Sequence, residues 1–325
     1  MSALSRRPGA ARSFRRLLSD DGFFLVCALD HLEDFDALLG APSAHRNERV
    51  MREKARLLAS VSPVVSAVLV DPVAGVPVAT LSGALPSSVG MIVPLEEEDY
   101  GHPASPRTTV LRADWDSEKA KAAGADMVKL LWFYRPDLDA GIADTQREVV
   151  VRLCGEASAA GLSSVIEPIW YATEDEDPTD PAWLHARHEG TVASALTAAE
   201  LGADVLKVEF PGGVATEADR AQATARCTRL TAELGVPWVL LSAGVALSDF
   251  EQQLQIACAA GASGYMAGRS VWRDAVGNPQ RDNDVVSRLQ RLNGIVRRHA
   301  RPALPPLSLD DAIALPRTWY AESIG

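Results

Sequence analysis

Segments that mark several other protein classes are missing from this sequence of 325 residues. It has no run of 18 apolar residues, so no membrane-spanning helix is predicted. The arginines near the N-terminus are followed only by a short apolar stretch, residues 23–29, which ends at Asp30. That pattern does not predict a signal peptide, and we expect a cytoplasmic protein.

Cysteine is scarce, and its spacing excludes the usual cysteine-based frameworks. The four cysteines contain no C-x-x-C pair, and each lies in an apolar or helical context. We interpret them as reduced residues that pack in the interior, as is usual in a reducing compartment. They are Cys27, Cys154, Cys227 and Cys258.

An excess of basic charge is also missing. The chain has 32 basic and 43 acidic residues and a formal net charge of −11. This balance argues against nucleic acid or a membrane surface as a partner of the whole chain. An anionic substrate would therefore need a locally basic pocket. The hydrophobic fraction of 47% can form a large core, and the length suits a single (β/α) barrel.

Short runs rich in valine, isoleucine and leucine recur along the chain. Most are continuously apolar, which is typical of parallel strands covered on both faces. Amphipathic stretches separate most of them, and many end at a glycine that can cap a helix. We predict a single (β/α)₈ TIM barrel, with its weakest unit between Val70 and Val89. The predicted strands are residues 23–29, 65–70, 89–93, 126–131, 164–169, 205–210, 238–241 and 264–267.

Three parts of the chain follow from this assignment. Residues 1–20 are predicted to be an N-terminal tail, and residues 21–280 the catalytic barrel. Residues 281–325 are predicted to form a helix and a proline-rich arm. Two acidic loops, residues 94–106 and 173–181, follow the third and fifth strands and would lie at the carboxyl-terminal rim.

Lys207 interrupts the apolar run 205–210. A lysine on an edge strand could extend to solvent, but a closed barrel has no edge strand. Burial disfavours the ammonium form, and a neutral amine can condense with a carbonyl to form a Schiff base. Lys129 lies in a similar apolar run, so the two lysines together indicate carbonyl chemistry.

Carboxylates follow other predicted strands. Glu167 is either a structural partner of a buried lysine or a general acid and base. Asp30 ends the first strand, where it could cap a helix, act in the site, or do both. Asp71 precedes a proline and is interpreted as a turn residue. Since barrel active sites lie at the carboxyl ends of strands, we expect Asp30, Lys129, Glu167 and Lys207 to meet there.

The last two strands are followed by short polar segments. Ser242 and Gly244 follow the seventh strand, and Gly268 and Arg269 follow the eighth. Barrels commonly bind phosphate at this point through backbone N–H groups, and a guanidinium suits phosphate. Metal chemistry has less support, because His185 and His188 lie in a polar stretch and His31 has no second histidine at a strand end.

These segments resemble the class I tagatose-1,6-bisphosphate aldolase family and its sulfofructosephosphate aldolase relatives. The similarity runs from about residue 23 to residue 276, in the same order. Its most specific pieces are Lys-Val-Glu at 207–209 and Ser-Ala-Gly-Val at 242–245. Others are Ala-Leu-Asp at 28–30, Gly-Ala-Asp-Met-Val-Lys at 124–129, Ile-Glu-Pro at 166–168 and Ala-Gly-Arg at 267–269.

The resemblance implies a role for each candidate. Lys207 would form the Schiff base with a ketose phosphate or dihydroxyacetone phosphate, and Glu167 would act as acid and base. Lys129 would favour the neutral amine of Lys207 through like charge, and Asp30 would bind substrate hydroxyls. No metal or other cofactor is implied. Ser242, Gly244, Gly268 and Arg269 would hold the phosphate, and a homo-oligomer is possible.

One departure concerns the substrate's far end. The family usually follows its first-strand aspartate with Gln-Arg, where this chain has His31 and Leu32. These positions are expected to help bind the far end of the substrate, which leaves a phosphate, a sulfonate or an uncharged group open. Two other functions remain alternatives: a metal-dependent barrel lyase that uses His31 and Asp30, and a barrel that binds a sugar phosphate without catalysis.

Overall fold

A closed barrel of eight parallel strands forms the centre of the molecule. The computed structural model describes residues 8–40, 45–97, 106–304, 310 and 313. Neighbouring strands pair in chain order, and the last pairs with the first, so the predicted (β/α)₈ barrel is confirmed. The strands are β1 Phe24–Leu29, β2 Ala67–Val70, β3 Gly90–Pro94, β4 Met127–Phe133, β5 Ser163–Ile169, β6 Val205–Val208, β7 Trp238–Leu241 and β8 Gly264–Ala267.

Helices alternate with the strands. Their starts follow local signals: the side chains of Asp116, Asp139, Asp180 and Thr216 each accept a backbone hydrogen bond at a helix N-terminus. In the described part of the chain they are α1 Pro8–Arg16, α2 Glu33–Leu39, α3 Arg46–Val61, α4 Gly75–Leu81, α5 Ser117–Ala122, α6 Ala140–Ala159, α7 Pro181–Glu200, α8 Glu217–Glu233, α9 Leu247–Ala259, α10 Arg269–Trp272 and α11 Asp282–His299.

Two stretches differ from the sequence-based assignment. The weak unit between β2 and β3 contains α4, a helix of seven residues, although the sequence shows no long helix there. Helix α7 begins at Pro181, the last residue of the segment that the sequence assigns to an acidic loop. Asp180 caps this helix, and Pro181 suits its first turn because proline has no N–H to leave unpaired.

The inside of the barrel is closed at its amino-terminal end by α1. Phe14 and Leu17 are fully buried and join the apolar cluster that fills the barrel. The ring of Phe14 meets that of Phe24 edge to face, with 5.5 Å between centroids. The segment predicted as a tail therefore contains a helix whose apolar face forms the floor of the barrel.

The chain returns to this floor after α11. Ala303 donates a backbone hydrogen bond to Gly22 O at 2.9 Å, and Ala303 and Leu304 pack against the same apolar cluster. The beginning of the proline-rich arm thus packs on its own barrel. Pro305 and Pro306, and residues 98–105 of the first acidic loop, lie outside the described residues. The domain boundaries themselves remain a prediction.

A second apolar layer lies between the barrel and its helices. The four cysteines are buried free thiols, in agreement with their interpretation as packing residues. Across the described ranges, no helix combines the length and apolarity needed to cross a bilayer.

Candidate active site

The predicted catalytic residues face the inside of the barrel, directly after the apolar residues that fill it. Side chains two residues apart on a strand point to the same face. Each of four apolar interior residues is followed, two positions later, by one of the predicted catalytic residues. These pairs are Ala28 and Asp30, Met127 and Lys129, Val165 and Glu167, and Val205 and Lys207.

Glu167 lies between the two strand lysines. Its Oε2 is 2.9 Å from Lys207 Nζ and 3.1 Å from Lys129 Nζ. The pairing of Val165 with Val205 sets β5 and β6 in a register that brings Glu167 beside Lys207. All three residues are buried. The predicted meeting of Lys129, Glu167 and Lys207 is therefore present.

Two further carboxylates surround Lys129. Asp30 Oδ2 lies 3.3 Å from its Nζ, and Glu96 Oε1 lies 2.7 Å from it. Asp30 does not cap α2, which begins without a side-chain cap. Glu96 was not among the residues predicted from the sequence, although it continues the interior alternation of Ile92 on β3. Among the described residues, Lys129 thus has three carboxylate partners, and Glu167 is the carboxylate in contact with Lys207.

The carboxylates respond to burial in different ways. Burial raises the pKa of Glu167, but the positive charges of Lys129 and Lys207 outweigh it and hold the pKa below its ordinary value. The pKa of Asp30 is also low, because Lys129, His31 and Lys207 outweigh its burial. Burial dominates at Glu96 and raises its pKa, with Lys129 only partly opposing the effect. Glu96 is therefore the carboxylate that most readily holds a proton.

A third buried lysine supports the end of β1. Lys54 of α3 is fully buried and donates to Leu29 O at 2.6 Å and His31 O at 3.1 Å. It also pairs with Asp71. Asp71 accepts backbone hydrogen bonds from residues 73–75, so it is the turn residue expected from the sequence and an ion-pair partner as well. Lys54 therefore fixes the backbone on both sides of Asp30.

Asp30, Glu96, Lys129, Glu167 and Lys207 form one set of contacts, which we call the lysine cluster. His31 lies between the lysine cluster and the end of β8. Its Nδ1 is 3.3 Å from Asp30 Oδ1, and its ring meets Trp272 edge to face at 5.9 Å. A Cβ placed on Gly268 would lie 3.5 Å from its Cε1. Burial lowers the pKa of His31, with Asp30 opposing the effect, so the ring is neutral at pH 7.

The segment after β7 has the backbone form of an anion-binding turn. Ala243 and Gly244 follow Ser242 and have positive φ angles of 47° and 73°. Ala243 is the one non-glycine residue with positive φ in the described part of the chain. Left-handed residues in turns can direct successive N–H groups toward one point, which forms a concave site for an anion.

The segment after β8 closes against this turn. Gly268 N donates to Ser242 Oγ at 3.2 Å, and Ser270 Oγ donates to Val245 O at 2.7 Å. Arg269 is partly exposed, and its guanidinium lies 3.2 Å from Asp34 of α2. The structure therefore brings the four predicted phosphate-binding residues, Ser242, Gly244, Gly268 and Arg269, to one corner of the barrel mouth.

Other polar residues considered from the sequence are not direct partners of the two strand lysines. Glu209, two residues after Lys207, is buried and pairs with Arg187 of α7 at 2.9 Å; burial and, less strongly, the charge of Glu167 raise its pKa. His185 is exposed and His188 is half-buried. Within the described residues, no group of three or more His, Cys, Asp or Glu side chains is arranged to hold a metal ion.

The barrel and its family membership define an aldehyde-lyase. The DeoC/LacD family aldolase model matches residues 43–274. The chain belongs to this family of aldolases, which confirms the resemblance read from the motifs.

Curated relatives carry a more specific activity. A tagatose 1,6-diphosphate aldolase 1 of Streptococcus pyogenes serotype M3 (strain SSI-1) is 28% identical over 280 residues, which cover 82% of this chain and 85% of the relative. A tagatose 1,6-diphosphate aldolase 2 of Enterococcus faecalis (strain ATCC 700802 / V583) is 25% identical over 287 residues, with coverage of 84% and 86%.

Solved structures share the fold. An archaeal fructose-1,6-bisphosphate aldolase, with its catalytic lysine covalently bound to the carbinolamine intermediate, is 18% identical with a TM-score of 0.57. The match covers 87% of this chain and 99% of that one. A fructose-bisphosphate aldolase from Slackia heliotrinireducens DSM 20476 is 18% identical with a TM-score of 0.61, covering 89% and 91%. At this identity the likeness shows the barrel fold.

Proposed function

We propose that this aldolase cleaves a phosphorylated ketose reversibly through a Schiff base on Lys207. The products are dihydroxyacetone phosphate and an aldehyde, and the ketose is similar to tagatose 1,6-bisphosphate or to a sulfofructose phosphate. The observation that carries the proposal is the contact of Lys207 Nζ with Glu167 Oε2 at 2.9 Å inside the barrel. A second buried amine, Lys129 Nζ, lies 3.1 Å from the same oxygen.

Charge distribution assigns different roles to the two amines. Lys129 lies among Asp30, Glu96 and Glu167, so its positive charge is well compensated. Lys207 shares Glu167 with it and contacts no second carboxylate among the described residues. A neutral amine is the form that attacks a keto carbon.

Glu167 lies within hydrogen-bonding distance of the nitrogen that reacts. Attack by Lys207 on the keto carbon gives a carbinolamine, and a proton delivered by Glu167 lets its hydroxyl leave as water. The resulting iminium accepts the electron pair of the C3–C4 bond when the C4 hydroxyl loses its proton to Glu167. The aldehyde is released, and protonation and hydrolysis of the enamine release dihydroxyacetone phosphate.

The remaining predicted residues hold the substrate. Ser242, Gly244, Gly268 and Arg269 bind the phosphate next to the keto carbon, and the turn with positive φ at Ala243 and Gly244 supports this assignment. Asp30 and His31 lie between that corner and Lys129, where they contact substrate hydroxyls.

Borohydride trapping tests the mechanism. Incubation with dihydroxyacetone phosphate and borohydride should attach the reduced three-carbon unit to Lys207, as a mass shift on the peptide that contains it. Lys207→Met should abolish both the shift and ketose cleavage, whereas Lys119→Met, at a surface lysine, should change neither. Cleavage by the wild type without any trapped adduct would refute the Schiff-base mechanism.

A further inference from the structure

A cavity of about 190 Å³ adjoins the lysine cluster on the side away from the phosphate corner. Its described lining includes Glu96 and Glu97 after β3, and Leu131 and Phe133 of β4. Val110 also lines it and belongs to residues 108–112, the returning segment, which pairs antiparallel with the end of β3. This volume is more than ten times the roughly 10–15 Å³ that one water molecule needs. The cavity therefore has room for several heavy atoms of a ligand.

Hydrogen bonds hold the walls of this cavity together. Glu97 N donates to Val110 O at 2.8 Å. Thr109 Oγ1 donates to Leu131 O at 2.8 Å and accepts from Phe133 N at 3.0 Å. Because the returning segment is bonded both to the end of β3 and to β4, the cavity is a fixed part of the barrel mouth.

Glu96 connects the cavity to the reactive centre. Its Oε1 is 2.7 Å from Lys129 Nζ, while its Oε2 is buried and accepts no hydrogen bond within the described structure. The side chain is almost fully buried, and a buried acceptor without a donor is costly. A hydrogen bond from a donor on a ligand to Oε2 would therefore stabilise the complex.

The order of the strands places this cavity and the phosphate corner on opposite sides of Lys207. Strand β6, which carries Lys207, has β7 and β8 on one side and β5, β4 and β3 on the other. A ketose held by its phosphate at β7 and β8, with its keto carbon at Lys207, extends its remaining carbons toward β4 and β3. Those carbons are the ones released as the aldehyde.

The lining also indicates the chemical class of that aldehyde. Among the described lining residues two carry carboxylates and none carries a cation. Two of the nearby cations are already compensated: Lys129 pairs with Glu96, and Arg112 lies 3.4 Å from Glu97. Leu131, Phe133 and Val110 present apolar surface that suits a carbon chain.

We propose that this cavity is the subsite for the aldehyde half of the ketose, and that the aldehyde is an uncharged hydroxyaldehyde whose hydroxyl donates to Glu96 Oε2. The proposal rests on the proposed function and narrows it: the ketose keeps the phosphate next to its keto carbon, but an uncharged hydroxyl stands where tagatose 1,6-bisphosphate or a sulfofructose phosphate carries its second charged group. Arg107 lies over the Phe133 ring at 4.0 Å from its centroid, and it offers the opposing possibility of a phosphorylated aldehyde bound by a guanidinium.

Aldol addition to dihydroxyacetone phosphate tests the chemical class. In the wild type, kcat/KM should be about tenfold or more higher for glyceraldehyde than for propionaldehyde, since a hydrogen bond to a carboxylate supplies that discrimination. In Glu96→Gln, the ratio of kcat/KM for glyceraldehyde to kcat/KM for propionaldehyde should fall toward one. Because both aldehydes are measured with the same variant, a general effect of the substitution on catalysis cancels in this ratio. A wild-type preference for glyceraldehyde 3-phosphate over glyceraldehyde that disappears in Arg107→Gln would overturn the proposed class.

A second pair of variants tests the location. Val110 is 57% exposed, so Val110→Trp can fill the cavity with little effect on the core. It should lower kcat/KM for glyceraldehyde at least tenfold and leave borohydride trapping of dihydroxyacetone phosphate unchanged. Leu138→Trp, at an exposed residue outside the cavity, is the control. An unchanged kcat/KM for glyceraldehyde in Val110→Trp would overturn the proposed subsite but not the proposed function. Failure of the wild type to trap dihydroxyacetone phosphate with borohydride would overturn both the Schiff-base mechanism and the subsite.

Discussion

Lys207 Nζ and Glu167 Oε2 are 2.9 Å apart, and the same carboxylate oxygen lies 3.1 Å from Lys129 Nζ. One acceptor thus serves two amines, and this lowers the pKa of Glu167 despite its burial. At neutral pH Glu167 is ionised. In the proposed mechanism it must therefore receive a proton before it can act as an acid, and the nitrogen of Lys207, 2.9 Å away, supplies one once it has added to the keto carbon.

Replacement of Glu167 by glutamine should separate its catalytic role from a structural one. We expect Glu167→Gln to lower kcat by about 10²–10⁴, the usual range for a lost general acid and base. The protein should remain folded, and borohydride trapping should slow without disappearing. Glu189→Gln is the control, because Glu189 also pairs with cations but binds Arg226 and Arg229 of α8, outside the site. Loss of folding in Glu167→Gln with normal turnover of the folded fraction would indicate a structural partner instead.

Lys54 should matter for both stability and catalysis. Lys54→Met leaves Asp71 buried without its cation, which costs about 3–5 kcal/mol in the free energy of unfolding. Because Lys54 also binds the carbonyls of Leu29 and His31, kcat should fall through looser placement of Asp30. Chemical denaturation and steady-state kinetics measure the two effects. The double variant Lys54→Met/Asp71→Asn should regain stability but not kcat; recovery of both would show that Lys54 does not position Asp30.

His188 should make stability fall in mild acid. Burial, followed by Arg187 and Arg226, lowers its pKa from 6.5 to about 4 in the folded protein. The unfolded chain therefore binds a proton more readily, and the stability present above pH 6.5 is lost as the pH falls toward 4. We expect a loss of roughly 1–2 kcal/mol for this partly exposed group.

The measurement is the urea midpoint of unfolding at pH 7.5 and at pH 4.5. Replacement of His188 by glutamine should reduce the difference between the two midpoints, and His185→Gln, at an exposed histidine, should not. Equal pH dependence in the wild type and His188→Gln would refute the assignment.

The floor of the barrel should be sensitive to truncation of Phe14. This side chain is fully buried, so Phe14→Ala should lower the free energy of unfolding by about 3–5 kcal/mol through lost burial and a new cavity. Thermal unfolding measures the loss, and Arg15→Ala on the exposed face of the same helix is the control. The specific activity of folded protein should change little, because the floor is opposite the mouth. A change below 1 kcal/mol would mean that α1 contributes little to the barrel.

The sequence was sufficient for the barrel and for most of the reactive cluster because both follow from strand patterns. An ionisable residue inside an apolar run, as at Lys207, must point either to the barrel interior or to the helices. Its interior position follows once Val205, two residues earlier, lies in the core.

Residues outside the strands could not be assigned in the same way. Glu96 begins a run of three glutamates in a predicted loop, and only its alternation with Ile92 could have singled it out. Lys54 lies among Arg52, Glu53 and Arg56 on a helix that looks solvated. Its burial depends on contacts with β1 and β2 that are distant in the chain. Three of the five lysines in the sequence are buried, and composition alone does not reveal this.

The floor formed by Phe14 and Leu17 also bears on the timing of product release. In the proposed mechanism, the apolar side chains that close the amino-terminal end of the barrel mean that solvent has to reach the covalent intermediate through the entrance that the sugar uses. While the aldehyde occupies that entrance, hydrolysis is delayed. Departure of the first product thus admits the water that frees the second, and the enzyme is protected against premature loss of its three-carbon adduct.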